Sequence, residues 1–161
     1  MTDVGDAFVS HARSLLKSDY FPRIERCLES LTEEDIWWRA NAEVNSVGNL
    51  LLHLSGNTRQ WIVAGIGGAP DLRARQEEFD ARNGPSNAQL LSTLKQNLDE
   101  ADAVLADLPP SRLLEKLVIQ GYEVTVMSAI FHVVEHFSMH TGQIIYITKQ
   151  LTARDLEFYE L

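Results

Sequence analysis

Three histidines at intervals of four residues constrain this chain more than any other feature of its sequence. His132, His136 and His140 lie within residues 128–148, and on a helix this spacing aligns the three imidazoles along one face. The other residues of the segment are mostly apolar and point in nearly every direction, which predicts a helix enclosed by other elements. Burying either nitrogen of an imidazole without a hydrogen bond costs on the order of 1–3 kcal/mol. A bound metal ion would satisfy all of the rings at once.

The length and composition of the chain indicate one domain over residues 1–161. A chain of 161 residues can bury a hydrophobic core without disulfides or structural metals. Its 45% hydrophobic and 23% charged residues are typical of soluble proteins. No apolar run approaches the roughly 20 residues of a membrane helix, and the acidic first residues do not resemble a signal peptide. We therefore expect a cytoplasmic protein with no membrane partner.

The charge and the cysteine content argue against two classes of function. The formal net charge is −9, whereas proteins that bind nucleic acids usually carry an excess of Lys and Arg for the phosphates. Cys27 is the only cysteine, which excludes an intrachain disulfide and a zinc cluster built from cysteines. We predict that it is a small buried residue and not a reactive thiol.

Hydrophobic periodicity predicts an all-α fold with four long helices. Apolar residues recur at intervals of three and four along each helix, and Pro22 is expected to kink the first or to mark a place where it is not straight. Gly67 and Gly68 end the second helix, and a capping box of Ser86 and Gln89 starts the third. The predicted helices span residues 6–31, 47–66, 86–108 and 128–148. This order of helices predicts a four-helix bundle.

The segments between the helices carry weaker signals. Residues 71–84 form a long connection between the second and third helices, which we interpret as a solvated linker in preference to a crossover or a lid. Residues 117–126 are β-branched around a central glycine, which allows a short hairpin before the fourth helix. The aromatic residues of the tail, Phe158 and Tyr159, could dock on the helices or on a partner subunit.

A pair of adjacent tryptophans follows the first helix. A capping box of Thr32 and Asp35 predicts a short helical turn that carries Trp37 and Trp38. Two adjacent rings cannot share one face of a helix. We therefore expect one ring to pack and the other to line a cleft or a subunit contact.

His53, in the second helix, is a candidate third metal ligand. Alone among leucines it would be more typical of a hydrogen-bonded core residue, but beside His136 and His140 it can complete a metal site. Three neutral imidazoles leave at least one coordination position for water or substrate, as in catalytic sites. Imidazole suits zinc, nickel, copper and iron alike, so the metal stays open. His132 can be a fourth ligand, a group that orients a ligand, or part of the pocket wall.

The run from His132 to His136 also matches H-x-x-E-H, the zinc signature of inverzincin peptidases, with Glu135 as general base. We do not favour this interpretation. Those enzymes are far larger, and their third ligand is a downstream glutamate. On a helix Glu135 also lies about 100° from His136, so the two need not face the same cleft.

Two segments resemble the ligand segments of the DinB-like superfamily of four-helix bundles, also called YfiT-like. In the second helix His53 is followed by Leu-Ser-Gly-Asn, and in the fourth His136 and His140 precede Thr-Gly-Gln-Ile. With the helix order and the loop lengths, the resemblance spans nearly the whole chain. It implies that His53, His136 and His140 bind one divalent ion, usually zinc or nickel.

The resemblance also suggests a class of reaction. Relatives in that superfamily include metal-dependent transferases that use low-molecular-weight thiols such as bacillithiol or mycothiol. Our leading hypothesis is therefore a transferase or hydrolase in which the ion activates a thiol or water toward a small electrophilic substrate. Candidates for further roles in the pocket are Asn57, Trp61, His132 and Gln143, each one turn from a ligand or close to one.

Two other hypotheses stay open. The second is a non-catalytic metal- or ligand-binding protein, such as a sensor or stress protein, and the third is a metal-free bundle whose histidines are hydrogen-bonded in the core. We expect a homodimer, with the aromatic tail or the Trp37 and Trp38 pair at the contact.

Overall fold

A computed structural model describes residues 3–158 of the chain, so the predicted docking of Tyr159 lies outside the described residues. The chain is mainly helical, as predicted, with one small sheet. The α-helices are α1 (Val4–Ser14), α2 (Phe21–Leu28), α3 (Glu33–Trp37), α4 (Val47–Thr58), α5 (Arg75–Asp80), α6 (Asn87–Ala106) and α7 (Val126–Thr152). A π-helical segment, Arg59–Ile66, continues α4. The sheet pairs β1 (Lys116–Ile119) with β2 (Tyr122–Thr125) in antiparallel fashion.

Side-chain caps determine where several helices begin. Capping boxes are present at Thr32 with Asp35, before α3, and at Ser86 with Gln89, before α6. Both were predicted from the sequence. A further box at Ser46 starts α4, the helix that carries His53. Each box satisfies backbone N–H groups that the first turn of a helix leaves without partners.

The helix predicted over residues 6–31 passes through Pro22 by changing its hydrogen-bond pattern. A π-helical segment, Leu15–Tyr20, joins α1 to α2, and the Phe21 N–H donates to the Leu16 carbonyl five residues earlier. Proline has no N–H to donate. Pro22 lies in the first turn of α2, where that donor is not needed. The sequence therefore predicted the irregularity, but not its form.

The hairpin before α7 is confirmed. Its turn consists of Gln120 and Gly121, which both have positive φ, 54° and 81°. Two such residues form the type of tight turn whose twist matches that of paired strands. The Val126 N–H, at the start of α7, donates to the Glu115 carbonyl just before β1. The hairpin is thereby tied to the first turn of α7.

The hydrophobic core surrounds α4, which packs against α6 on one side and α7 on the other. Its central side chains Leu51 and Leu54 are fully buried, as is Phe137 of α7. The tail returns to this core through buried Leu156 and partly buried Phe158. The contact between α4 and α7 brings His53 beside the histidine column.

The prediction that the fourth helix is enclosed on all sides was wrong. Along α7, Phe131, Met139 and Tyr146 are 58%, 51% and 68% exposed. Neighbouring helices α1, α2 and α4 pack against other parts of α7, but they leave these three side chains largely uncovered. Apolar composition alone did not distinguish a helix surrounded by protein from one with an uncovered apolar face.

None of the helices within residues 3–158 combines the length and the hydrophobicity that crossing a membrane requires.

Candidate metal centre

Three imidazoles converge between α4 and α7. His53 comes from α4, and His136 and His140 come from successive turns of α7. One nitrogen of each ring lies within 4.8 Å of the corresponding nitrogens of the other two, and His53 Nε2 lies 2.9 Å from His136 Nε2. Metal–nitrogen distances are about 2.0–2.1 Å, which puts nitrogens on one ion roughly 3–4 Å apart. With small side-chain adjustments, the three histidines can hold a metal ion.

A carboxylate orients the first of these rings. His53 Nδ1 lies 2.9 Å from Glu78 Oε2, so the proton of the neutral ring belongs on Nδ1, where it is donated to the carboxylate. Nε2 then keeps its lone pair and faces His136. Metal-binding histidines commonly donate their second nitrogen to a carboxylate in this way, which fixes the tautomer and raises the basicity of the ligand.

Gln143 orients His140 by the same principle. His140 Nδ1 lies 2.7 Å from Gln143 Oε1 and donates to it, so the remaining nitrogen, Nε2, carries a lone pair. That nitrogen is buried and has no hydrogen-bond partner among residues 3–158. An unpaired buried acceptor costs about 1–3 kcal/mol, and a metal ion would satisfy it. The chemistry of the donor set therefore fits a metal.

The protein environment keeps His136 and His140 neutral. Burial, together with the neighbouring His140, His132 and His53, lowers the pKa of His136 to about 3. Burial also lowers the pKa of His140, against the opposing effect of its hydrogen bond to Gln143. At pH 7 both rings are in the uncharged form, which is the form that binds metals.

Glu78 corrects our interpretation of residues 71–84 as a solvated linker. The segment contains α5, and it buries two charged side chains beside the histidines: Arg73 is 4% exposed and Glu78 10%. Arg73 binds both oxygens of the carboxylate, through Nε at 2.7 Å and Nη2 at 2.8 Å. The one aromatic residue in the segment, Phe79, packs on His53 with ring centroids 4.7 Å apart. Phe79 was the sequence signal that could have indicated this contact.

The Glu78 carboxyl is ionised in this setting. Burial by itself would raise its pKa, but the hydrogen bonds and charge of Arg73, with the hydrogen bond from His53, outweigh burial and hold the pKa below its ordinary value. The carboxylate can therefore accept from Arg73 and His53 at the same time. The connection between α4 and α6 is thus part of the candidate centre.

His132 lies outside the group of three. Its Nε2 is 3.2 Å from the Asn57 side-chain nitrogen, and the Trp61 ring packs on it with centroids 4.1 Å apart. Its ring also contacts His136, with centroids 4.7 Å apart. The sequence left three roles open for His132. These contacts match a residue of the pocket wall beside the ligands and not a fourth ligand. Glu135 is exposed, so the peptidase interpretation has no support either.

Comparison with protein families finds a match over nearly the whole chain. The family described as "Protein of unknown function (DUF1572)" matches residues 3–160. The chain belongs to the DUF1572 family. No curated protein matches it. The function proposed for this DUF1572 protein therefore rests on the geometry of the site.

A glycine in α4 makes room for the buried ion pair of this DUF1572 protein. A Cβ added at Gly56 would collide with Glu78 Oε1 and would lie 2.9 Å from Arg73 Nε. Gly56 lies about one turn after His53 on α4. The Glu78 carboxylate passes over α4 at this glycine, where no Cβ blocks it, and reaches the His53 ring. The glycine after His53 is thus explained by the close approach of Glu78.

Replacing Gly56 by alanine is expected to weaken metal binding about tenfold, because the displaced carboxylate no longer orients His53. We expect the free energy of unfolding to fall by roughly 1–2 kcal/mol, since overpacking exceeds the helix-propensity gain of about 1 kcal/mol. Chelator competition and urea unfolding measure the two effects.

Gly142→Ala is the matched control for stability. A Cβ at this position of α7 meets no neighbouring atom within 4 Å, so the change should stabilise the protein by up to about 1 kcal/mol. Equal stabilisation by both substitutions would contradict the role assigned to Gly56.

Proposed function

We propose that this DUF1572 protein is a metal-dependent enzyme with the four-helix bundle of the DinB-like superfamily. Its divalent ion, zinc or nickel, would be held by His53, His136 and His140. The observation that carries the proposal is the convergence of three imidazoles, with His53 and His140 oriented from behind by Glu78 and Gln143.

The donor set favours a catalytic role. Three histidine ligands leave at least one coordination position for another molecule. An ion in such a site lowers the pKa of a bound thiol or water toward neutrality and so supplies a nucleophile. We infer that the protein transfers a low-molecular-weight thiol, or water, to a small electrophilic substrate. Glu78 and Gln143 hold the ligands in place, and His132 with Trp61 forms a wall on one side.

A test of this proposal uses untagged protein, because a polyhistidine tag binds metal itself. We expect about one zinc or nickel ion per chain by elemental analysis. The metal-loaded protein should conjugate bacillithiol or mycothiol to 1-chloro-2,4-dinitrobenzene, or hydrolyse that compound, faster than protein stripped by a chelator. Restoring the metal should restore the rate. Protein with stoichiometric metal and no turnover of either kind would contradict the enzymatic proposal.

A non-catalytic metal-binding protein, such as a dimeric sensor, is the second candidate. The burial of His53 and His140 favours it, because a substrate must reach the ion between them. This candidate predicts tight metal binding without turnover. It also predicts a change of subunit association between the metal-loaded and stripped forms, which light scattering would detect.

A further inference from the structure

We propose that a groove beside the metal centre binds the electrophilic substrate, and that this substrate is an uncharged or cationic small molecule with an aromatic or alkyl part. The inference rests on the proposed function and specifies its substrate class. The groove has a volume of about 680 Å³ and lies between residues 38–45, the start of α4 and the second half of α7. Sites for small molecules typically have volumes of about 300–1,000 Å³.

The walls of the groove are largely apolar and accessible. Trp38, Met139 and Tyr146 are exposed and line it, and buried Leu50 forms part of its base. Trp38 is thus the ring of the tryptophan pair that lines a cleft, while Trp37 packs against the core. Large aromatic faces and a flexible methionine suit a flat or alkyl ligand.

The charge of the groove determines which ligands it favours. Glu43 is the only charged residue among those that line it, and Asn45, Gln143 and Gln150 contribute uncharged amides. Among the described residues that line the groove, an anionic ligand would meet one carboxylate and no cation, in a protein with a net charge of −9. A neutral or cationic ligand avoids this repulsion.

Gln143 connects the groove to the metal centre. Its side chain lines the groove, and its Oε1 accepts the hydrogen bond from His140 Nδ1 at 2.7 Å. A molecule in the groove therefore lies one side chain away from a metal ligand. Because Gln143 contacts Nδ1 of His140 and not the nitrogen that would bind the ion, the groove is assigned to the part of the substrate that does not react.

Gly142 supplies space in the groove. It lines the groove on α7, and a Cβ at this position would meet no neighbouring atom within 4 Å. Glycine in the interior of a helix costs about 0.5–1 kcal/mol relative to alanine, and packing gives no reason for it here. A larger side chain at residue 142 would occupy the groove without disturbing the core.

The test measures ligand binding directly, without turnover. Equilibrium dialysis of the full zinc-loaded chain would compare 1,3-dinitrobenzene, which is neutral, with 3,5-dinitrobenzoate, which is anionic. We expect the neutral probe to bind with a Kd below 1 mM and the anion at least tenfold more weakly. Gly142→Leu should weaken binding of the neutral probe at least tenfold. Ser138→Leu, the same side chain one turn away on the exposed surface of α7, should change it less than twofold.

Three binding results would overturn the groove proposal. These are undetectable binding of the neutral probe to the wild-type protein, equal binding by the Gly142→Leu variant, and equal or tighter binding of the anion. A dimer that Gly142→Leu converts to monomers would also overturn it, by showing that a second copy of the chain fills the groove. Metal content is measured in the same samples. Wild-type protein that retains metal but does not bind the neutral probe contradicts the groove alone, whereas wild-type protein that retains no metal contradicts the proposed function.

Discussion

Replacing His140 by alanine is expected to abolish tight metal binding, with a loss of about a thousandfold or more in affinity. Structural zinc sites bind with apparent free energies of about 10–16 kcal/mol, so one ligand of three contributes at least the roughly 4 kcal/mol that corresponds to a thousandfold change. His53→Ala should have the same effect from the opposite helix. Elemental analysis of purified untagged protein, followed by competition with a chelator, measures both variants.

His11→Ala is the control for this pair. His11 is an exposed histidine on α1, so its removal should leave the metal content unchanged. If His53→Ala and His140→Ala both retained stoichiometric metal, the three histidines would not be the ligands, and the enzymatic proposal would lose its basis.

Arg73→Met is expected to lower the free energy of unfolding by about 3–5 kcal/mol. The substitution leaves the Glu78 carboxylate buried without its bidentate partner, and breaking a buried ion pair from one side typically costs this much. Combining it with Glu78→Met should recover most of the stability, because no charge then remains unpaired. Metal affinity should nevertheless fall by about 10–100-fold in the double variant, because removing Glu78 takes away the acceptor of His53 Nδ1.

Urea unfolding of the single and double variants separates the two effects. Arg112→Met is the matched control, because Arg112 pairs with Glu115 on the surface, and exposed pairs contribute little to stability. A similar loss of stability in Arg73→Met and Arg112→Met would show that the Arg73–Glu78 pair is not a buried structural pair.

The sequence predicted the features that depend on periodicity. The spacing of His136 and His140 places both on one face of any helix, and the leucines around His53 require that residue to lie inside the fold. Two helices that both bury histidines in a short chain are expected to pack against each other in the same core. The structure brings the three side chains together for this reason.

The sequence did not predict the parts of the site that depend on tertiary pairing. Arg73 and Glu78 lie in a segment of alternating charges, and such segments are usually solvated. Only the three-dimensional approach of Glu78 to His53 and Gly56 turns these charges into a buried pair. Likewise, the apolar residues of α7 gave no sign of which side would stay uncovered, because that depends on how many helices pack around it.

The separation of His53 from His136 by 83 positions along the chain has a consequence for biosynthesis. When α4 but not yet α7 has emerged from the ribosome, the nascent chain presents one of the three imidazoles. The other two emerge with α7. An ion held by all three histidines could therefore be bound only after α7 has been synthesised.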